Sequence, residues 1–193
     1  MARPREFDEV TALEAAIECF WQRGYEATSV RDLAVKMGLS APSLYNAYGD
    51  KHALFVQALE HYLDHSTRAR IKRLENSLQP KQAVRHFIEE IIARSVNDRE
   101  RRGCFLINSA LEVAPHDRKL GALIADRLGE IEAFFYRSIK AAQAEGEVPK
   151  ERAAKDVARL LLGVLLGIRV LARTKPERAL LEGVARPALA LLD

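Results

Sequence analysis

Residues Thr28 to Lys51 read TSVRDLAVKMGLSAPSLYNAYGDK, and this stretch decides the fold. It predicts two short helices joined by a tight glycine turn, with a third helix starting at its end. Thr28 or Ser29 can accept a hydrogen bond from a free backbone N–H and so cap a helix that carries Asp32 in its first turn. Val30, Leu33, Ala34 and Met37 then recur at helical spacing as one apolar stripe. Gly38 supplies the left-handed residue that ends this helix. Leu39 turns inward, Ser40 caps the second helix, and Pro42 is tolerated in its first turn. Leu44 is the buried residue of that helix. Gly49 and Asp50 close it, and Asp50 caps the third. Helix, glycine turn, helix at this spacing is the pattern of a helix-turn-helix DNA reader.

Outward from this motif the chain reads as helix after helix. A first helix is expected from Glu6 to Arg23, with Val10, Leu13, Ile17, Phe20 and Trp21 facing inward and Gly24 ending it. The helix opened by Asp50 is expected to run unbroken to about Leu74, burying Leu54, Leu59, Tyr62 and Leu63. Its late charges, Arg68, Arg70, Lys72 and Arg73, read as a solvated face. Pro80 opens a helix to Asn97, Asp98 to Gly103 form a charged loop, and Cys104 to Ala114 form a short apolar helix stopped by Pro115. Asp117 caps a long helix to Glu145. Two helices close the chain, Lys150 to Arg173 and Pro176 to Leu192, the last kinked or interrupted by Pro187. There is no strand alternation, repeat or low-complexity linker, so the fold class is all-α.

The penultimate helix is apolar all round between Val157 and Ala172, and such a helix must be covered all round. One face can meet its own domain and the other needs a partner. Gly163 and Gly167, four apart, let another helix come close. We therefore expect a homodimer through the last two helices, with Leu161, Gly163, Leu165, Gly167, Ile168, Leu180, Val184 and Leu189 at the interface.

Composition is compatible with this. The chain has 193 residues, 48% of them apolar, which suffices for a real core. No uncharged apolar run is long enough to span a membrane, and the N-terminal MARPREF lacks the apolar centre of a signal peptide. The two cysteines, Cys19 and Cys104, imply no disulfide framework, so a reducing cytoplasm is expected. Net charge is only +3, and residues 1–52 hold six Lys or Arg against eight Asp or Glu. The cations are nonetheless placed usefully: Arg3 and Arg5 in a leading arm, then Arg31, Lys36 and Lys51 around the motif. A local patch can hold phosphate when the total is not basic.

Residues 10–63 resemble the N-terminal domain of the TetR/AcrR family of bacterial transcriptional regulators. The resemblance is carried by Ala15-Ala16 with Phe20, Gly24-Tyr25 with Thr28-Ser29-Val30, Leu33-Ala34 with Gly38-Leu39-Ser40, Ser43-Leu44-Tyr45 through Tyr48-Gly49-Asp50-Lys51, and Leu54-Phe55. It implies a helix-turn-helix DNA-binding domain over 1–52 and a larger helical effector-binding and dimerisation domain over 53–193. By the same resemblance Arg31, Ala41, Pro42, Ser43, Tyr45 and Asn46 face the major groove. Ser29, Tyr48 and Lys51 hold phosphates, and Ser40 belongs to the same contact set. Ala47 stands where many members carry a histidine that touches the DNA backbone, so that contact is missing.

No catalytic signature is present: no nucleophile elbow, no HExxH, no phosphate-cradling glycine loop and no paired-cysteine metal site. His61 and His65 share a helix face, but two ligands alone make a weak metal site. No cofactor or metal is expected. Cys104 begins a helix beside Arg101 and Arg102, a setting that favours a thiolate; the alternative is a small packed hydrophobe. Asn108, Arg137 and Arg169 are polar residues on apolar helices. A buried guanidinium requires a partner, which for Arg169 is either a carboxylate such as Glu112 or an anionic group of an effector. An effector pocket is expected around Phe87, Ile91, Cys104, Phe105, Asn108, Phe134, Arg137 and Arg169. The chain thus reads as a ligand-responsive regulator, a repressor by family default. It would bind a palindromic double-stranded operator as a dimer and be released by a small molecule. The alternative is an all-α small-molecule or redox and electrophile sensor, acting through Cys104 without operator binding.

Overall fold

A computed structural model describes residues 8–193. The leading-arm residues Arg3 and Arg5 and the expected helix start at Glu6 lie outside this range. Among the described residues there are helices and turns and no strand. Helix α1 spans Glu9–Arg23, with Asp8 as its cap, accepting from Val10 N at 3.0 Å. Val10 itself is 50% exposed, contrary to its expected inward position, while Leu13, Ile17 and Phe20 are buried. One turn into the helix, Val10 falls short of the core that those later residues reach.

Helices α2 (Val30–Met37) and α3 (Ala41–Tyr48) form the reading motif. Ser29, not Thr28, is the cap, in a reciprocal box. Ser29 Oγ accepts from Asp32 N at 3.1 Å and Asp32 Oδ2 accepts from Ser29 N at 3.0 Å. That hydrogen bonding, led by the Ser29 hydroxyl, holds the Asp32 carboxyl below its usual range. Thr28 is instead buried and donates to the carbonyl of Gly24 at 2.6 Å. Gly38 adopts φ 67°, the left-handed conformation that lets the chain reverse between α2 and α3. Ser40 caps α3, accepting from Ser43 N at 3.2 Å.

Helix α4 (Lys51–Leu63) packs on α1. The expected single helix to Leu74 is interrupted by a π-helical turn at Asp64–Arg68 before α5 (Ala69–Ser77). Side chains compete with the backbone there: Ser66 Oγ donates to Tyr62 O at 2.6 Å and His65 Nδ1 lies 2.8 Å from His61 O. The expected solvated face also fails in part, because Arg70 is buried.

Helices α6 (Pro80–Asn97), α7 (Phe105–Glu112), α8 (Arg118–Ala144), α9 (Ala154–Thr174) and α10 (Arg178–Leu189) form the larger body. Pro187 lies inside α10, which runs on to Leu189 before tightening into a 3-10 turn. An aromatic chain joins this body to the reading unit. Phe20 meets Phe55 at 5.2 Å, Phe55 meets Phe105 at 5.5 Å, and Trp21 meets Tyr62 at 5.1 Å.

The predicted interface on α9 needs correction. Leu161, Leu165 and Ile168 are buried in the protomer's own core. The outward stripe is Leu160, Gly163, Gly167 and Val170, with Leu160 46% and Val170 43% exposed. Apart from the adjoining backbone of α9, no described atom lies within 4 Å of where a side-chain carbon would sit on Gly163 or Gly167. On α10, Leu180, Val184 and Leu189 are half-buried.

Candidate nucleic-acid interface and effector region

Helix α3 buries Leu44 and Tyr48 and turns its other side to solvent. Ala41, Pro42, Ser43, Tyr45 and Asn46 are all exposed, as are Ser29, Arg31 and Ser40. All of these residues are therefore accessible, on α2, α3 and the caps before them. Tyr45 is 49% exposed, an aromatic that packing does not hold. Lys51 sits behind them, its Nζ 4.4 Å from the centre of the Tyr25 ring and 3.5 Å from Glu26 O. Lys36 pairs with Glu18 at 3.0 Å. Tyr48 departs from the expected contact set: it is 3% exposed and its hydroxyl is buried, so it packs within the unit rather than reaching a phosphate. Ala47 is half-buried against the core.

The expected effector residues divide among different environments. Phe87, Ile91, Cys104 and Arg169 line one small enclosed cavity of about 20 Å³. Tyr62, Ser66, Thr67, Arg70 and Arg94 complete its polar wall. Phe105 and Asn108 instead line a hollow of about 320 Å³ between α1, α4 and α7. Asn108 donates to Arg102 O at 2.8 Å. Phe134 is core, packed against Phe87 and Phe135. Arg137 lies on the exterior and pairs with Glu75 at 2.9 Å. From sequence Arg137 and Arg169 looked alike, and the helix crossings separate them.

Glu112 is not the partner of Arg169. Its carboxylate faces the turn after α1, where Oε1 accepts from Glu26 N at 3.3 Å. Arg169, 7% exposed, donates from Nη1 to Ser95 Oγ at 3.0 Å, and its Nε has no hydrogen-bond partner among the described residues. Cys104 is half-buried at the N-cap of α7, and Tyr62 Oη donates to its Sγ at 3.6 Å. Burial, and then the neighbouring Cys104, push the Tyr62 hydroxyl well above its usual range, so it remains a donor.

A reading helix presented on a small helical unit, fused to a larger helical body, defines a helix-turn-helix regulator. The model described as bacterial regulatory proteins, tetR family, matches residues 12–58, and that described as tetracyclin repressor-like, C-terminal domain, matches residues 80–187. The chain belongs to the TetR family of transcriptional regulators. It is 34% identical to the uncharacterized HTH-type transcriptional regulator YezE of Bacillus subtilis (strain 168), over 100% of both chains. It is 29% identical to the HTH-type transcriptional repressor ComR of Escherichia coli (strain K12), over 98% of this chain and 90% of ComR. Among solved structures it is similar to a cysteine-substituted form of the TetR family regulator CifR bound to 26-base-pair double-strand operator DNA. That likeness has a TM-score of 0.87 and 33% identity, and covers 97% of this chain and 98% of the other.

Proposed function

We propose that this protein is a ligand-responsive repressor that binds a palindromic operator as a homodimer and leaves it when a small molecule enters the larger body. Residues 1–52 would read DNA and residues 53–193 would bind the effector and dimerise. The observation that carries the reading is the exposed set Arg31, Ala41, Pro42, Tyr45 and Asn46, held on two capped helices whose inner faces are fully packed. Likeness to an operator-bound CifR structure supports the same face as the DNA contact. The open stripe of Leu160, Gly163, Gly167 and Val170 supports pairing of α9 and α10 with a second copy. A ligand must bind the released and DNA-competent states with different affinities, since equal affinity shifts nothing. The test is a mobility shift with the DNA upstream of the protein's own gene: a dimer-sized complex at nanomolar protein is expected. Absence of any sequence-selective complex overturns the reading.

A second reading is favoured by the Tyr62–Cys104 contact. The thiol would be the sensor, with an oxidant or electrophile as effector. If Cys104→Ser still leaves DNA on exposure to hydrogen peroxide or an epoxide, Cys104 only lines the cavity.

A further inference from the structure

The cavity under Cys104 carries more positive charge than its surroundings neutralise. Arg70, Arg94 and Arg169 all line it. Arg70 Nε meets Glu90 at 3.1 Å, but Glu90 also takes Arg73 at 2.7 Å. Burial, and then the like charge of Arg94, push the Arg70 guanidinium down from its usual range. Among the described residues the hydrogen-bond partner of Arg169 is a neutral hydroxyl, and its buried Nε–H remains unmet. A buried guanidinium without a counter-charge is costly, so the chemistry of the site favours an anionic group.

Arg169 and Arg94 are also walls of a second, open hollow of about 550 Å³ whose floor includes Trp21, Ala93 and Gly103. The acids there are already engaged: Glu100 pairs with Arg102 at 2.9 Å, and Asp98 Oδ2 accepts from Gly103 N at 3.0 Å. The inner cavity is therefore too small for more than a few atoms, while the outer hollow admits a larger body. The two share the same guanidiniums.

We infer that the effector is an organic monocarboxylate whose carboxylate seats on Arg169 Nε and Arg94 while its hydrocarbon portion lies beside Trp21 and Ala93 in the open hollow. This rests on the proposed ligand-responsive function and names the chemistry of that ligand. Two guanidiniums suit a carboxylate because each offers paired N–H donors to its two oxygens. The hydrocarbon portion gains from covering Ala93 and the part of the indole that Arg102 leaves open. Such a ligand would touch α1 of the reading unit and α6 and α9 of the body at once, so its seating would bear on how they sit together.

Trp21 is the only tryptophan in the chain, so its emission reports occupancy without any DNA. Acetate, butyrate and octanoate should each be titrated at constant ionic strength, alongside butyramide and inorganic phosphate. Saturable emission changes are expected for butyrate and octanoate, with butyramide weaker by about tenfold or more, the effect of losing a charge-assisted hydrogen bond. Arg169→Met should abolish the change. Because that position is buried, Arg94→Gln at an exposed position serves as a second variant and should weaken butyrate several-fold with an unchanged circular dichroism spectrum. An equal response to butyramide, saturation by phosphate but not by any carboxylate, no response at all, or wild-type titration in both variants overturns the inference. Operator binding is measured separately, so a silent titration beside an intact mobility shift rejects this ligand class alone. A normal titration beside no shift rejects only the repressor reading.

Discussion

The indole N–H of Trp21 donates to the backbone carbonyl of Arg102 at 3.0 Å, across 81 positions of sequence. The Arg102 guanidinium lies over the same ring, 5.1 Å from its centre. One aromatic side chain of the first helix is thereby clasped from two directions by the loop that precedes α7. Trp21→Phe keeps an aromatic ring and removes the donor. It should lower stability in urea denaturation by roughly 0.5–1.5 kcal/mol for the lost hydrogen bond, with a further loss because the smaller ring gives up contact with Tyr62 and Phe105. An unchanged midpoint would mean that the bond is replaced by water at no net loss.

Arg31 is exposed at the start of α2 and is predicted to read a base. An Arg fork matches the two acceptors of guanine in the major groove. Arg31→Ala should cost ~1–3 kcal/mol of operator affinity and relax preference at one base pair per half-site. Competition with single-position operator variants measures both. If affinity and base preference survive, Arg31 is not a reader.

Lys51 and Tyr48 make a paired test of phosphate contact. Lys51→Ala should weaken all DNA about equally and reduce the salt slope by about one or less. Tyr48 is buried, so Tyr48→Phe should leave DNA affinity unchanged at every salt concentration. A salt-dependent loss on Tyr48→Phe would show that its hydroxyl emerges when DNA binds and would restore the role implied by resemblance.

The local signals were legible before the fold was. Ser29, Ser40, Asp50 and Asp117 cap the helices they precede, and Gly38 takes the left-handed conformation, because caps and turns are decided within a few residues. What failed was phase and partnership. On α9 the residues Leu161, Leu165 and Ile168 face inward while Leu160, Gly163 and Gly167 face out, and an all-round apolar helix carries no mark of which stripe meets its own core. The π turn at Asp64–Arg68 was equally silent, since it depends on where Ser66 and His65 find their acceptors. Which side of α3 is exposed was legible because packing and exposure alternate there at helical spacing, while the role of that side in reading DNA was implied by resemblance. The arginine cavity was not legible, because Arg70 looks like a surface charge until α5, α6 and α9 converge around it.

The oligomer prediction follows that correction. Gly167→Leu places a side chain on the outward stripe, where, apart from the adjoining backbone of α9, no described atom of the protomer lies within 4 Å. It should leave a folded monomer in sedimentation velocity at micromolar concentration. Leu165→Glu instead puts a charge into the protomer's own core and should prevent folding rather than split a dimer. A Gly167→Leu variant that sediments as a dimer, or an unmodified chain that sediments as a monomer, removes α9 from the interface.

The last expectation concerns acid. Arg68 grips Glu130 with two bonds, 2.8 and 2.7 Å, and reaches Glu60 at 2.8 Å, while Arg127 bridges Glu60 and Glu130 at 2.6 and 3.1 Å. The network ties the π turn and α4 to α8. Hydrogen bonding from Arg68 holds the Glu130 carboxyl below its ordinary value of 4.5. A depressed folded-state value means stabilisation that is fully present above the unfolded value and is lost as pH falls through the folded one. Glu130→Gln cannot ionise, so it should melt below the unmodified protein near neutrality, by the equivalent of about 1 kcal/mol for a partly exposed pair. The gap should close on acidification from about pH 5 downward as the native carboxylate takes its proton. Thermal melts of both proteins across that interval decide the point: a gap that stays constant, or widens in acid, would place the stabilisation elsewhere in the cluster.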